Sequence, residues 1–133
     1  MRAAINIFTL LLSACASYEV APEVRKADWE AKNVFPVGYK SEILAYLRVY
    51  VNDPGNVRDA GISDPVLKSM GLGNRYVSCV RYAPKRGTGS PKEHAAVFVG
   101  GKLDRFQEIK EANKELCSGV SYAAFPQLEN LTR

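Results

Sequence analysis

Apolar and polar positions alternate with different rhythms along this chain. Residues 3–12 carry Ile5, Ile7, Phe8, Leu10, Leu11 and Leu12, interrupted by Asn6 and Thr9. From Ser41 onward Ile43, Leu44, Leu47, Tyr50 and Val51 recur three and four residues apart, with Glu42 and Arg48 turned the other way. That spacing predicts an amphipathic helix with Ser41 as its N-cap and with Tyr46 and Tyr50 as packing residues. Asn52-Asp53-Pro54-Gly55 ends it, because proline cannot continue the hydrogen-bond ladder and disfavours helical geometry in the residue before it. In 75–82 the period changes to two: Tyr76, Ser78, Val80 and Tyr82 alternate with Val77, Cys79 and Arg81, which predicts a strand. Residues 95–99 predict another, Gly100-Gly101 a tight hairpin, and 102–108 the returning strand; 57–63 is a weaker candidate. Leu103, Phe106, Ile109 and Leu116 also fit one longer helix, but Gly-Gly favours the hairpin followed by a short helix over 110–116. The expected fold is α+β, one main amphipathic helix packed on a three- to four-stranded antiparallel sheet, with 39–133 as a single globular domain.

Composition narrows the classes. Of 133 residues, 47% are hydrophobic and 24% charged, a balance that fits one globular domain and excludes collagenous or wholly disordered chains. Eighteen Lys and Arg against fourteen Asp and Glu leave +4, too mild and too evenly spread to indicate a nucleic-acid partner.

The apolar run at the start follows Arg2 and is far short of the ~20 residues a permanent membrane span requires, so it reads as an export signal. Leu12-Ser13-Ala14-Cys15 then resembles the lipobox of bacterial lipoproteins: an apolar residue, two small ones that fit the signal peptidase cleft, and a cysteine whose thiol receives diacylglycerol. The resemblance implies removal of residues 1–14 and lipidation at Cys15. Ala16 and Ser17 stand where Asp would resemble an inner-membrane retention signal, so the outer membrane, on its periplasmic side, is the expected address. Residues 15–38 are expected to form the lipidated cysteine and a tether. Within it Trp29 can dock on the domain or lie at the membrane interface, and docking is the preferred reading.

Further resemblance begins at the helix end. Asn52-Asp53-Pro54, a strand containing Arg58, Cys79-Val80-Arg81-Tyr82, an apolar strand before Gly101-Lys102, and Pro126 near the end resemble small proteobacterial lipoproteins of unassigned function, closest to alphaproteobacterial members. The likeness covers about 39–128. It departs at Ala83-Pro84-Lys85, where the family pattern has an Asn-bearing turn. It implies a fold and an address, and it supplies no catalytic residue.

Candidate chemistry is sparse. Cys79, the single His94 and Asp104 have the residue types of a nucleophilic triad, but with Cys15 acylated only Cys79 and Cys117 remain, and an oxidising periplasm pairs thiols. A Cys79–Cys117 disulfide is therefore expected, and no catalytic residue. One His and two distant Cys lack metal-ligand spacing, so neither a metal nor another cofactor is expected. The carboxylate pairs Asp59 with Asp64, and Asp28 with Glu30, read as solvated surface charge. Lys85-Arg86-Gly87-Thr88-Gly89-Ser90-Pro91-Lys92 is the one compact basic, Gly-rich loop. Lys85, Arg86 and Lys92 are the candidate contacts for an anion or an acidic partner surface. The expected role is structural or protein-binding in the cell envelope, with another envelope protein as partner. The alternative is inhibition of a hydrolase such as lysozyme or a protease, the loop plugging an acidic cleft.

Overall fold

The alternating segment around Cys79 becomes the spine of the molecule. The computed structural model describes residues 19–50 and 56–132. Its elements are α1 (Pro22–Ala31), α2 (Tyr39–Tyr50), β1 (Val57–Ile62), β2 (Val66–Met70), β3 (Gly73–Pro84), β4 (Lys92–Val99) and β5 (Lys102–Glu108). A 3₁₀ helix (Glu111–Cys117), β6 (Ala123–Ala124) and α3 (Pro126–Glu129) complete the order. The expected leader, Cys15 and the expected helix stop at 52–55 lie outside the described residues. No described helix is long and apolar enough to cross a membrane.

The sheet is antiparallel, as expected, but has six strands instead of three to four, in the order β5-β4-β3-β1-β6 with β2 also on β3. The additions escaped the pattern for physical reasons. β6 is two residues long, and in β2 both Val66 and Leu67 are exposed, so burial imposes no alternation there. β1 and β2 share one edge of β3 end to end, β1 against its C-terminal half and β2 against its N-terminal half. Buried Ser63 makes the joint: its N–H donates to the Cys79 carbonyl at 2.8 Å, and its hydroxyl accepts the Cys79 N–H at 2.8 Å. Ser78 Oγ donates to the Ser63 carbonyl at 2.7 Å, so the chain leaves one strand and begins the next with its buried polar groups paired.

Both sheet faces are covered. On one, α2 lowers Ile43 and Leu47 onto Ile62, Val80, Ala96 and Phe98, and Phe125 and Leu128 close the end. On the other, Val77, Cys79, Ala95 and Val97 meet Leu116 and Cys117 of the 3₁₀ helix. There Cys79 and Cys117 form the expected disulfide, with Sγ atoms 2.02 Å apart, across 38 residues of sequence. The hairpin alternative holds over the single long helix: β5 spans Lys102–Glu108, and Asn113 starts the following turn by accepting the Lys110 N–H at 2.6 Å. α2 begins at Tyr39, two residues before the expected cap. The turn at Pro36 sets its start, with the Tyr39 N–H donating to the Pro36 carbonyl at 3.0 Å, so Ser41 falls inside the first turn.

The expected tether contains α1, which is latched to the sheet. Trp29 docks, as preferred: its Nε1 donates to the Asn74 carbonyl at 2.8 Å, and the Arg75 guanidinium carbon lies 3.7 Å from its ring centroid. Arg75, only 5% exposed, donates to the Trp29 carbonyl at 2.6 Å and to Asn33 Oδ1 at 3.0 Å. Gly71 lies against the Trp29 ring: its backbone is left-handed, with φ 58°, and a Cβ there would stand 2.8 Å from Trp29 Cη2. Tether composition is polar and aperiodic because α1 buries no residue of its own; it is held by one ring and a few hydrogen bonds.

These connections give the domain two poles. Turns 71–72 and 100–101, the 32–38 segment and the start of α2 lie at the latch pole, where the Gly100 N–H donates to the Lys32 carbonyl at 2.8 Å and Lys102 pairs with Glu42 at 3.3 Å. Loop 85–91 and the end of α2 lie at the other, separated by the length of β3, roughly 36 Å at ~3.3 Å per residue.

Candidate functional site

At the pole carrying loop 85–91, β1 is irregular. Its register with β3 shifts between Arg58 and Gly61, and Asp59 adopts a left-handed backbone with φ 53°. A bulge of this kind re-aims side chains at a sheet margin. Here it brings Arg58 Nη1 to 2.5 Å from Asp59 Oδ2 and turns Arg58 Nη2 toward the glycine loop. That nitrogen donates to the Gly89 carbonyl at 2.7 Å and the Gly87 carbonyl at 3.3 Å. The Lys85 N–H donates to the Asn56 carbonyl at 2.8 Å, tying the loop base to β1. Glycine supplies the flexibility and arginine removes it: the loop is braced from beneath, with its carbonyls at 87 and 89 facing inward.

Beside this brace lies an open groove of about 520 Å³, lined by Asp59, Gly61, Arg81, Pro91, Ala124 and Glu129. Gly61 admits its neighbour, because a Cβ there would meet Arg81 Nε at 3.0 Å. The Arg81 guanidinium stacks 4.5 Å from the Tyr122 ring centroid, and the Tyr122 hydroxyl donates to Glu93 Oε2. Burial, and then the Glu93 carboxylate, push the Tyr122 hydroxyl pKa well above the tyrosine range, and Arg81 offsets only part of this. Tyr122 is thus favoured in its protonated form, in which its hydroxyl donates to Glu93. The groove offers two carboxylates and a ring-stacked arginine, a surface suited to ion pairing and hydrogen bonding.

On the opposite sheet face at this pole, five rings make contact in series. Tyr50 stacks on Tyr46 at 4.6 Å, Tyr46 meets Phe106 at 5.1 Å, Phe106 stacks on His94 at 5.2 Å, and His94 on Tyr82 at 4.9 Å. His94 Nδ1 is buried without a hydrogen-bond partner among the described residues. Burial lowers the His94 pKa, and burial followed by Tyr46 and Glu108 raises that of Tyr82.

The three predicted contact cations fall in different settings. Lys85 and Arg86 project from the braced loop and are exposed. Lys92 begins β4 and lies 3.8 Å from Glu108 of β5, so it belongs to the sheet more than to the loop. The triad residues are not brought together. Cys79 is bonded to Cys117, His94 points to the other sheet face, and Asp104 lies beside Arg105 at 3.6 Å. The paired carboxylates separate as well: Asp59 holds Arg58, and Asp64 accepts the Tyr39 hydroxyl at 3.0 Å. Among the described residues no group of three or more His, Cys, Asp or Glu could hold a metal ion.

Arg58, Arg81, Glu93 and Tyr122 were not singled out by sequence as site residues. Beyond its place in the resemblance, the signal for Arg58 was its neighbourhood: a glycine loop exposes carbonyls that need donors, and an arginine on an adjacent strand can supply them. Compared with known proteins, the chain matches no family model, no curated protein and no solved structure. Fold and site therefore define it on their own terms, as a disulfide-stapled α+β domain with a braced basic loop at one pole.

Proposed function

We propose that this chain is a lipid-anchored protein of the bacterial envelope, held at the periplasmic side of the outer membrane through Cys15, with a structural or protein-binding role. The supporting observation is the arrangement along β3. The chain emerging from the anchor is latched at one pole, and the braced loop carrying Lys85 and Arg86 stands at the other, about 36 Å away. A loop presented away from its own membrane suits a partner in the periplasmic space. The Cys79–Cys117 disulfide agrees with an oxidising compartment. Inhibition of a hydrolase such as lysozyme or a protease is the second reading, favoured by the Arg58 brace, since a loop ordered before binding loses less entropy on entering an acidic cleft.

The anchor is tested in a Gram-negative host by radiolabelled palmitate. The full chain is expected to take up label and partition into detergent, whereas Cys15→Ala remains unlabelled and soluble. Label retained by Cys15→Ala would overturn the assignment.

A further inference from the structure

The latch pole carries an exposed apolar surface that the fold does not use. Between α1 and α2 the chain reads Lys32-Asn33-Val34-Phe35-Pro36-Val37-Gly38-Tyr39-Lys40. Pro36 is buried and fixes the bend, while Val34, Phe35 and Val37 are 54%, 47% and 87% exposed. Leu72, in the adjacent β2–β3 turn, is 49% exposed. The surface is ordered: the Phe35 ring packs edge-on against Tyr76 at 5.4 Å, and the Lys32 carbonyl is bonded to the Gly100 N–H. Both lysines bracketing the apolar residues are exposed. The neighbouring carboxylates are already committed. Glu30 accepts from Asn33 and Asn74, Glu42 from Lys102 and the Leu103 N–H, and Asp64 from Tyr39. The result is an apolar tip with a cationic rim, beside which Glu30, Glu42 and Asp64 are already paired.

We infer that this pole, the 32–40 loop with Leu72 beside it, seats on the anionic phospholipid surface of the membrane that holds the anchor. The inference rests on lipidation at Cys15. Whatever path the intervening residues take, seven steps from Cys15 to Pro22 reach at most ~24 Å, and α1 adds only ~10 Å before Trp29 is fastened to the sheet. The latch thus shortens the leash from the expected tether, which ran to residue 38, to about six residues and brings this pole, rather than the loop 85–91 pole, to the headgroups. Exposed Val, Phe and Leu enter the acyl boundary while lysine stems lie along it and place their ammonium groups among lipid phosphates.

The test uses the full chain, matured in a Gram-negative host and reconstituted into phosphatidylethanolamine–phosphatidylglycerol vesicles containing brominated lipid. Trp29 is the chain's single tryptophan, so its fluorescence reports without mutation. Two further reporters keep Trp29, so that the latch stays intact, and are read as the difference from the native chain: Val37→Trp at this pole and Arg86→Trp at the other. Intact mass establishes whether each protein carries acyl chains. The expected result is acylated protein in which bromine quenches the added tryptophan of Val37→Trp at least threefold, native Trp29 less strongly, and the added tryptophan of Arg86→Trp hardly at all. Acylated protein with equal or absent quenching at the two poles, native Trp29 included, overturns the seat and leaves the anchor standing. Absence of acyl mass overturns the anchor and the seat that depends on it. Blue-shifted Val37→Trp emission that grows with protein concentration in detergent, without lipid quenching, would assign the surface to a second copy and also overturn the seat.

Discussion

The imidazole of His94 lies between Tyr82 and Phe106, tilted only 7° and 12° from their planes, and its surroundings disfavour charge. Burial dominates, and the Glu108 carboxylate, which acts in the opposite sense, does not restore the ordinary pKa. Below about pH 6.5 the unfolded chain therefore binds a proton here more readily than the folded chain does. The stability His94 contributes is whole above that pH and is lost as pH falls toward its depressed folded value. Urea midpoints measured at pH 7.5 and pH 5.0 should fall more for the native chain than for His94→Phe, which keeps a stacked ring and has no proton to gain. An equal fall in both would remove His94 from the acid response. Histidine content was readable in the sequence; the stack that decides its charge required Tyr46, Tyr82 and Phe106 to arrive from three separate elements.

At the scale of elements, two fastenings differ in what they hold. The α1 latch combines an arginine–ring contact with hydrogen bonds from Trp29 and Arg75, and such cation–ring pairs contribute ~0.5–2 kcal/mol. Trp29→Ala and Arg75→Ala should show a coupling of about 1 kcal/mol in a double-mutant cycle. In hydrogen exchange, Trp29→Ala should release residues 22–33 while β3 and β4 keep their protection. Release of the whole sheet would mean that α1 is integral to the core. The Cys79–Cys117 staple belongs to the core itself. Across 38 residues of sequence the chain-entropy treatment gives ~4 kcal/mol, a large share of the ~5–15 kcal/mol that stabilises a domain. Cys79→Ser, Cys117→Ser and the double variant should lose similar stability in urea titrations. A double variant matching the native protein would show that the bridge is dispensable.

Over the whole molecule the two poles separate two kinds of surface, and their substitutions should separate as well. Replacing Lys85, Arg86 and Lys92 with Ala removes exposed charge at one pole, so the thermal midpoint should move by no more than about 1 °C. Capture of an acidic partner should weaken several-fold at low ionic strength and converge with that of the native protein at 0.5 M salt, where the Debye length is only ~4 Å. Within the triple variant, the loss should come from Lys85 and Arg86 more than from Lys92, which already faces Glu108. Unchanged capture at low salt would remove the loop from partner binding. The latch pole carries its apolar surface on a rigid turn, so changes there should alter vesicle contact without altering this salt response.

Local rhythm alone determined the main helix, the strands around Cys79 and Ala96, the hairpin at Gly100-Gly101 and the placement of Cys79 beside Val77 on one face. Each follows from periodicity or turn chemistry acting over a few residues, where burial of one face leaves a visible trace. The disulfide was also accessible, because once Cys15 is set aside for the expected anchor the two remaining cysteines have one pairing. Tertiary structure decided the rest. β2 exists because β3 offers an edge and β6 because β1 offers one, α1 because Arg75 and Asn74 stand where Trp29 can reach them, and the loop brace because a bulge at Asp59 turns Arg58 onto Gly87 and Gly89. Apart from β2, which the 71–72 turn joins directly to β3, these partners are far from each other in sequence. Their pairing depends on distances set by the folded sheet, and so it leaves no period in the chain to be read.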